Sequence, residues 1–113
     1  MSQITTHILD TARGVPAAGV RVALAQWRDG AWAELGAGVS DADGRVAALL
    51  PPGETLPAGE CKLTFATADY HRAAGAPGFY PRVEIAFCVA AGGAHYHIPL
   101  LLGPFGYTTY RGS

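Results

Sequence analysis

The chain is predicted to be all-β, a two-sheet β-sandwich of seven to eight strands with one short helix. Three observations carry this expectation. Runs such as "RVEIAFCVA" alternate apolar and polar side chains, the two-residue period of a strand with one buried face. Turn-forming groups ("RDGA", "DADG", "PPGETLPAG", "AGGA") recur between those runs at the spacing of a sandwich. Long strand–helix alternation is absent from the pattern, which sets aside a parallel α/β fold. At 113 residues the chain is expected to form one domain, 1–113, with a single core.

The elements follow in order. "QITTHILD" is a strand rich in Ile and Thr, closed by Asp10. "TARGVPAAG" carries Gly and Pro and is a loop. "VRVALAQW" places Val20, Val22 and Leu24 on one face. "RDGA" makes a hairpin turn, because Asp-Gly supplies the positive φ such turns need. "AWAELGAGVS" is a weaker strand, and the "DADG" turn leads into a further strand, "RVAALL". "PPGETLPAG" cannot be regular structure, and "CKLTFATA" is a strand. "ADYHRAAG" has helix formers followed by Gly75 and is the one short helix. "RVEIAFCVA" turns Val83, Ile85, Phe87 and Val89 inward, and "HYHIPLLL" and "GYTTYRG" are the last strands. Pro99 has no N–H to donate, so it must face a gap, a bulge or an edge.

Composition excludes several classes. Net charge is −1, so nothing attracts nucleic acid or an acidic membrane. No apolar run approaches transmembrane length. The first residues lack a basic start and an apolar segment, so no signal peptide is expected and a cytoplasmic location is. Cys61 and Cys88 are then expected to be free, buried thiols. Half the residues are hydrophobic and only 15% are charged, so part of the surface is expected to be buried against another copy.

The chemistry-bearing residues are few. His95 and His97 share one face of their strand, with Tyr96, Ile98 and Leu100 on the other. His7 shares a face with Thr5 and Leu9, opposite Ile4, Thr6 and Ile8. On spacing alone each histidine, His71 included, is a solvated residue. His-x-His with His7 as a third ligand could hold zinc, but no Cys or carboxylate stands at ligand spacing. "DADG" resembles the start of a calcium loop, yet its glycine comes too early and no glutamate closes it. No Gly-x-Ser-x-Gly and no glycine-rich phosphate loop is present. What remains is histidine for proton transfer at neutral pH and arginine, Arg45 or Arg111, for planar or anionic groups. Such a set could hydrolyse an activated amide, histidine taking a proton from water and arginine holding the oxyanion.

The tail "HYHIPLLLGPFGYTTYRGS" resembles the C-terminal signature of the transthyretin-related 5-hydroxyisourate hydrolases. "ITTHILDTARGVPAAGVRVAL" is similar to that family's N-terminal signature, and the resemblance runs from Ile4 to Ser113. The terminal Tyr-Arg-Gly-Ser is its specific part; transthyretin, the hormone carrier of the same fold, lacks it and the matching histidines. The resemblance implies a transthyretin-like sandwich and a homotetramer with sites at the dimer–dimer interface. It implies hydrolysis of 5-hydroxyisourate, the product of urate oxidation, to 2-oxo-4-hydroxy-4-carboxy-5-ureidoimidazoline, without cofactor. His7, Arg45 and His97 match the family's catalytic set, with Tyr110, Arg111, Gly112 and Ser113 as further substrate-binding positions and the terminus as a wall of the site. His95 is outside that core set, with a supporting or surface role. The alternative is a transthyretin-like protein that holds a small aromatic ligand without turnover.

Overall fold

In the computed structural model, which describes residues 2–113, the alternating runs fold into strands whose buried and exposed residues follow the two-residue period. The elements are β1 (Ile4–Asp10), β2 (Val15–Pro16), β3 (Arg21–Arg28), β4 (Ala31–Val39), β5 (Arg45–Val46), β6 (Gly59–Phe65), α1 (Thr67–Ala73), β7 (Val83–Val89), β8 (Tyr96–Leu102) and β9 (Tyr107–Thr109). One sheet has the order β2-β1-β8-β9, with β5 also paired to β1; the other has the order β4-β3-β6-β7. Ile4, Ile8, Ile98, Leu100 and Leu102 from the first sheet meet Leu24, Leu63, Phe65 and Val83 from the second. Each such side chain, taken fully out of water, contributes roughly 1.5–3 kcal/mol.

Each of the eight expected runs contains a strand, and a ninth strand, β2, lies in the stretch expected to be loop. "RVAALL" is strand only at Arg45–Val46. Beyond Val46 the chain leaves the sheet, and Leu49 and Leu50 fill the core from irregular backbone, 1% and 3% exposed. Such a continuous apolar run reads the same whether it is buried strand or buried loop. "CKLTFATA" also ends early: β6 stops at Phe65 and α1 begins at Thr67. The cysteines correct a second expectation. Both are free, but only Cys61 is buried; Cys88 is exposed. Cys61 is registered with Phe87, and Glu60 with Cys88, so the two thiols lie one step out of phase on neighbouring strands and point to opposite faces. His71 is buried on α1 rather than solvated, edge-on to the Tyr70 ring.

The helix is tied to β1 by one buried contact. Tyr70 donates its hydroxyl hydrogen to Asp10 Oδ2 at 2.6 Å. Asp10 Oδ1 accepts from the Ala12 and Arg13 N–H groups at 3.0 Å each. Burial pushes the Asp10 carboxyl up, but the bonds from Tyr70, Arg13 and Ala12 outweigh it and hold it below the ordinary 3.8. A carboxylate depressed in the folded state stabilises the fold above its unfolded pKa, and that stability is lost as pH falls through the folded value. Tyr70→Phe is expected to cost about 1.5–3 kcal/mol at pH 7, the range for a hydrogen bond to a charged group. In urea titrations the difference between variant and wild type should shrink as pH drops below 3.8; a pH-independent difference would refute the charged bond.

Candidate active site

The backbone alone brings the predicted residues to one sheet face. β1 runs parallel to β8, with Thr5 beside His97 and His7 beside Pro99. On its other side β1 pairs antiparallel with β5, which sets Arg45 beside His7. Ile4, Thr6, Ile8 and Asp10 are buried, so Thr5 and His7 must point outward. Val46 is buried and Arg45 exposed, which sends Arg45 to the same side.

The "DADG" turn holds Arg45 at this place through its own Asp41 carboxylate. Asp41 Oδ1 accepts from the Asp43 N–H at 2.9 Å and the Arg45 N–H at 3.0 Å. Gly44 has φ of 76°, and its carbonyl accepts from the Ile8 N–H at 2.8 Å. A Cβ at Gly44 would fall on the Ile8 carbonyl oxygen, so only glycine lets the turn press this close to β1.

The tail closes over the same face. β9 stops at Thr109, and Thr109 Oγ1 donates to the Pro99 carbonyl at 2.7 Å. Pairing resumes only at His97 and Gly112. Pro99 thus faces the gap that its missing N–H requires. The Gly112 N–H donates to the His97 carbonyl at 2.8 Å, and a Cβ at Gly112 would meet His97 Cδ2 at 2.6 Å. Glycine at this place lets the tail lie flat against the imidazole. Thr5, Arg45, His95, His97 and Ser113 then line one depression of about 250 Å³, while His7 and Gly112 lie outside its lining. Tyr110 and Arg111 do not line it. They border a separate groove of about 340 Å³ with Phe87, Cys88 and Tyr96. There the Arg111 guanidinium lies 4.4 Å over the Tyr96 ring.

The electrostatics favour a neutral His97. Burial, the Arg45 guanidinium, His95 and His7 all disfavour its charged form and push its pKa below 6.5. A neutral imidazole beside a permanent cation can accept a proton while the cation holds a developing oxyanion. Thr5, which sequence reading passed over, bridges the histidines: its Oγ1 is 2.8 Å from His97 Nδ1 and 2.9 Å from His95 Nε2. A hydroxyl at i−2 from a candidate histidine, on the same strand face, was the available signal. Among the described residues no three His, Cys, Asp or Glu side chains converge as a metal site.

Fold and face together define a transthyretin-like β-sandwich that carries histidines and an arginine on one outward sheet surface. The chain belongs to the HIUase/Transthyretin family, which it matches over residues 4–112. It is 46% identical to a 5-hydroxyisourate hydrolase of Mesorhizobium japonicum, over 98% of this chain and 92% of the relative. Among solved structures, the 5-hydroxyisourate hydrolase of Klebsiella pneumoniae superposes with a TM-score of 0.83 at 40% identity, covering 97% of this chain and 98% of that one. Sea bream transthyretin in complex with thyroxine superposes with a TM-score of 0.90 at 34% identity, covering 98% and 95%.

The charge around His97 can be tested directly. In an NMR titration the His97 ring should protonate below 6.5. Arg45→Gln removes one opposing cation and should move that midpoint upward, while Arg45→Lys should leave it nearly in place. A midpoint that ignores the charge at position 45 would refute the electrostatic coupling.

Proposed function

We propose that this chain is an enzyme of urate degradation that hydrolyses 5-hydroxyisourate to 2-oxo-4-hydroxy-4-carboxy-5-ureidoimidazoline. The observation that carries the proposal is the neutral-biased His97 set on one outward face with His7 and Arg45, in a chain whose relatives are hydrolases of this substrate. The reaction needs a proton removed from water, an oxyanion held, and a proton given to the leaving ring nitrogen. His97 and His7 divide the two proton transfers. As water bonds to the ring carbonyl carbon, one imidazole takes its proton; as the ring C–N bond breaks, an imidazole returns a proton to nitrogen. Arg45 binds the flat carbonyl-bearing ring and holds the negative oxygen with its planar fork. Gly112 and Ser113 flank the substrate beside His97. Tyr110 and Arg111 act on substrate binding through the tail: Arg111, anchored on Tyr96, holds Gly112 and Ser113 in place.

The working assembly is a homotetramer with sites where dimers meet. β7 ends one sheet and β9 ends the other, so both present hydrogen-bonding edges to a second copy. The histidine depression is open on one chain, and a facing copy would roof it and exclude water.

The likeness to thyroxine-bound transthyretin favours a second reading, a protein that holds a small ligand without turnover. A passive apolar pocket has no use for His7, Arg45 and His97 on one face.

The deciding measurement is ultraviolet spectroscopy of 5-hydroxyisourate generated in place by urate oxidase. Wild type should accelerate its decay, and His97→Ala should fall to near the spontaneous background. Arg45→Lys keeps charge but loses the bidentate fork, and its rate should fall by roughly 10²–10³-fold without unfolding. Chelator should leave the wild-type rate unchanged; a loss restored by zinc would sink the metal-free mechanism. Decay no faster than background would leave the ligand-holding reading.

A further inference from the structure

Thr5 Oγ1 touches His97 Nδ1 at 2.8 Å and His95 Nε2 at 2.9 Å. A hydroxyl has one hydrogen to donate. When it donates to one ring, the other ring must direct its own N–H at the oxygen. The three groups therefore form a directed hydrogen-bond wire, and shifting one proton along each link reverses it. The two rings stack, with centroids 6.4 Å apart and planes 18° from parallel. The ends of the wire differ: His97 is half-buried and His95 is exposed.

We propose that His95 is a third working histidine, which receives through Thr5 the positive charge that His97 gains on taking a proton from water, and releases a proton to solvent. The proposal rests on the hydrolase reading above. At the start His97 donates its Nδ1–H to Thr5 Oγ1, Thr5 donates to His95 Nε2, and His95 holds a hydrogen on Nδ1. His97 Nε2 takes a proton as the water oxygen bonds to the substrate carbon. The His97 Nδ1 proton passes to the Thr5 oxygen while the Thr5 hydrogen passes to His95 Nε2. His97 is left neutral with its hydrogen on Nε2, available to replace the one that His7 gives to the leaving nitrogen. His95 carries the charge and loses its Nδ1 proton to solvent. When His97 gives up the Nε2 hydrogen, the wire shifts back and His95 takes a proton from solvent, which restores the start.

The surroundings favour this direction. Burial, Arg45 from β5, His95 and His7 from β1 all oppose charge on His97, in that order. His95 lines the Arg45 depression and also a second one bordered by Glu54, which gives its ring a separate way out to solvent. Arg111 Nη2 reaches toward the His95 carbonyl at 3.5 Å, on backbone rather than ring.

The test pairs kinetics with ring nitrogen NMR. Thr5→Val and His95→Gln should each lower kcat by about tenfold, below the roughly 10²–10⁴-fold of a group acting on reacting atoms, with KM near wild type. Added imidazole should restore part of that rate by carrying the proton away, and Thr5→Ser, which keeps the hydroxyl, should behave as wild type. In ¹⁵N spectra, protonating His95 in wild type should force Thr5 to donate to His97, moving the His97 hydrogen from Nδ1 to Nε2. Thr5→Val should abolish that switch. Wild-type kcat without buffer response in both variants, or a His97 tautomer indifferent to His95, would overturn the proposal. A wild type that fails to hydrolyse 5-hydroxyisourate would instead sink the hydrolase reading, and the tautomer switch would still decide whether the rings are coupled.

Discussion

Parallel pairing between β1 and β8 is the constraint on which the rest of the molecule depends. Seven consecutive residues of each strand are in register, from Ile4 beside Tyr96 to Asp10 beside Leu102. Side chains lock that register at its head. The Thr6 hydroxyl donates to the Ile98 carbonyl at 2.6 Å, and Gln3 Nε2 donates to the Ala94 carbonyl at 3.1 Å. Gln3 Oε1 accepts from the Leu56 N–H at 2.8 Å, so the same side chain also anchors the long irregular connection before β6. The β3–β4 hairpin is local in sequence and β6 and β7 are joined through α1, whereas β1 and β8 are separated by most of the chain. Closing that loop costs entropy before any contact rewards it. The histidine face exists only once this non-local pairing is made.

The site in turn depends on a balance of burial and charge. Burial is the largest influence disfavouring charge on His97, and Arg45 reinforces it from β5. Arg45 can stand there because the Asp41 carboxylate caps the turn's N–H groups while Gly44 lets the turn press against Ile8. Gly112 does the corresponding work on the other flank, bringing the tail into contact with the His97 ring. Two glycines, on turn and tail, thus set how near a cation and a backbone strand approach one imidazole.

Much of this was legible in the sequence because strand period is a local property. Alternation alone put Ile4, Thr6 and Ile8 inward and Thr5 and His7 outward, and it put His95 and His97 on one face. Glycine and proline marked the turns. What local pattern cannot carry is register between distant strands. That His97 falls beside Thr5, and Arg45 beside His7, follows from pairing geometry, and only the family resemblance brought those residues together beforehand. Local pattern also misses the apolar run after Val46, which is buried without being strand, whereas the outward phase of Cys88 follows from the alternation of Val83, Ile85, Phe87 and Val89, and only the composition argument for buried thiols pointed the other way. The limit of local pattern also explains why Arg111 was grouped with the histidines. Nearness in sequence to Gly112 does not fix direction, and the Tyr96 ring draws the guanidinium to the opposite side.

Alternation along β1 ties chemistry to folding in a way that bears on how the protein can change over generations. The odd residues face outward and the even residues face the core, so a one-residue insertion or deletion inside the strand would exchange the two sets. Isoleucines would then meet solvent and imidazoles would meet the oily interior. No one-residue slip keeps the fold while moving the outward side chains along the strand. Diversification is therefore confined to point substitution on the outward positions and to the lengths of the flanking loops, and the scaffold permits new ligands far more readily than it permits a relocated site.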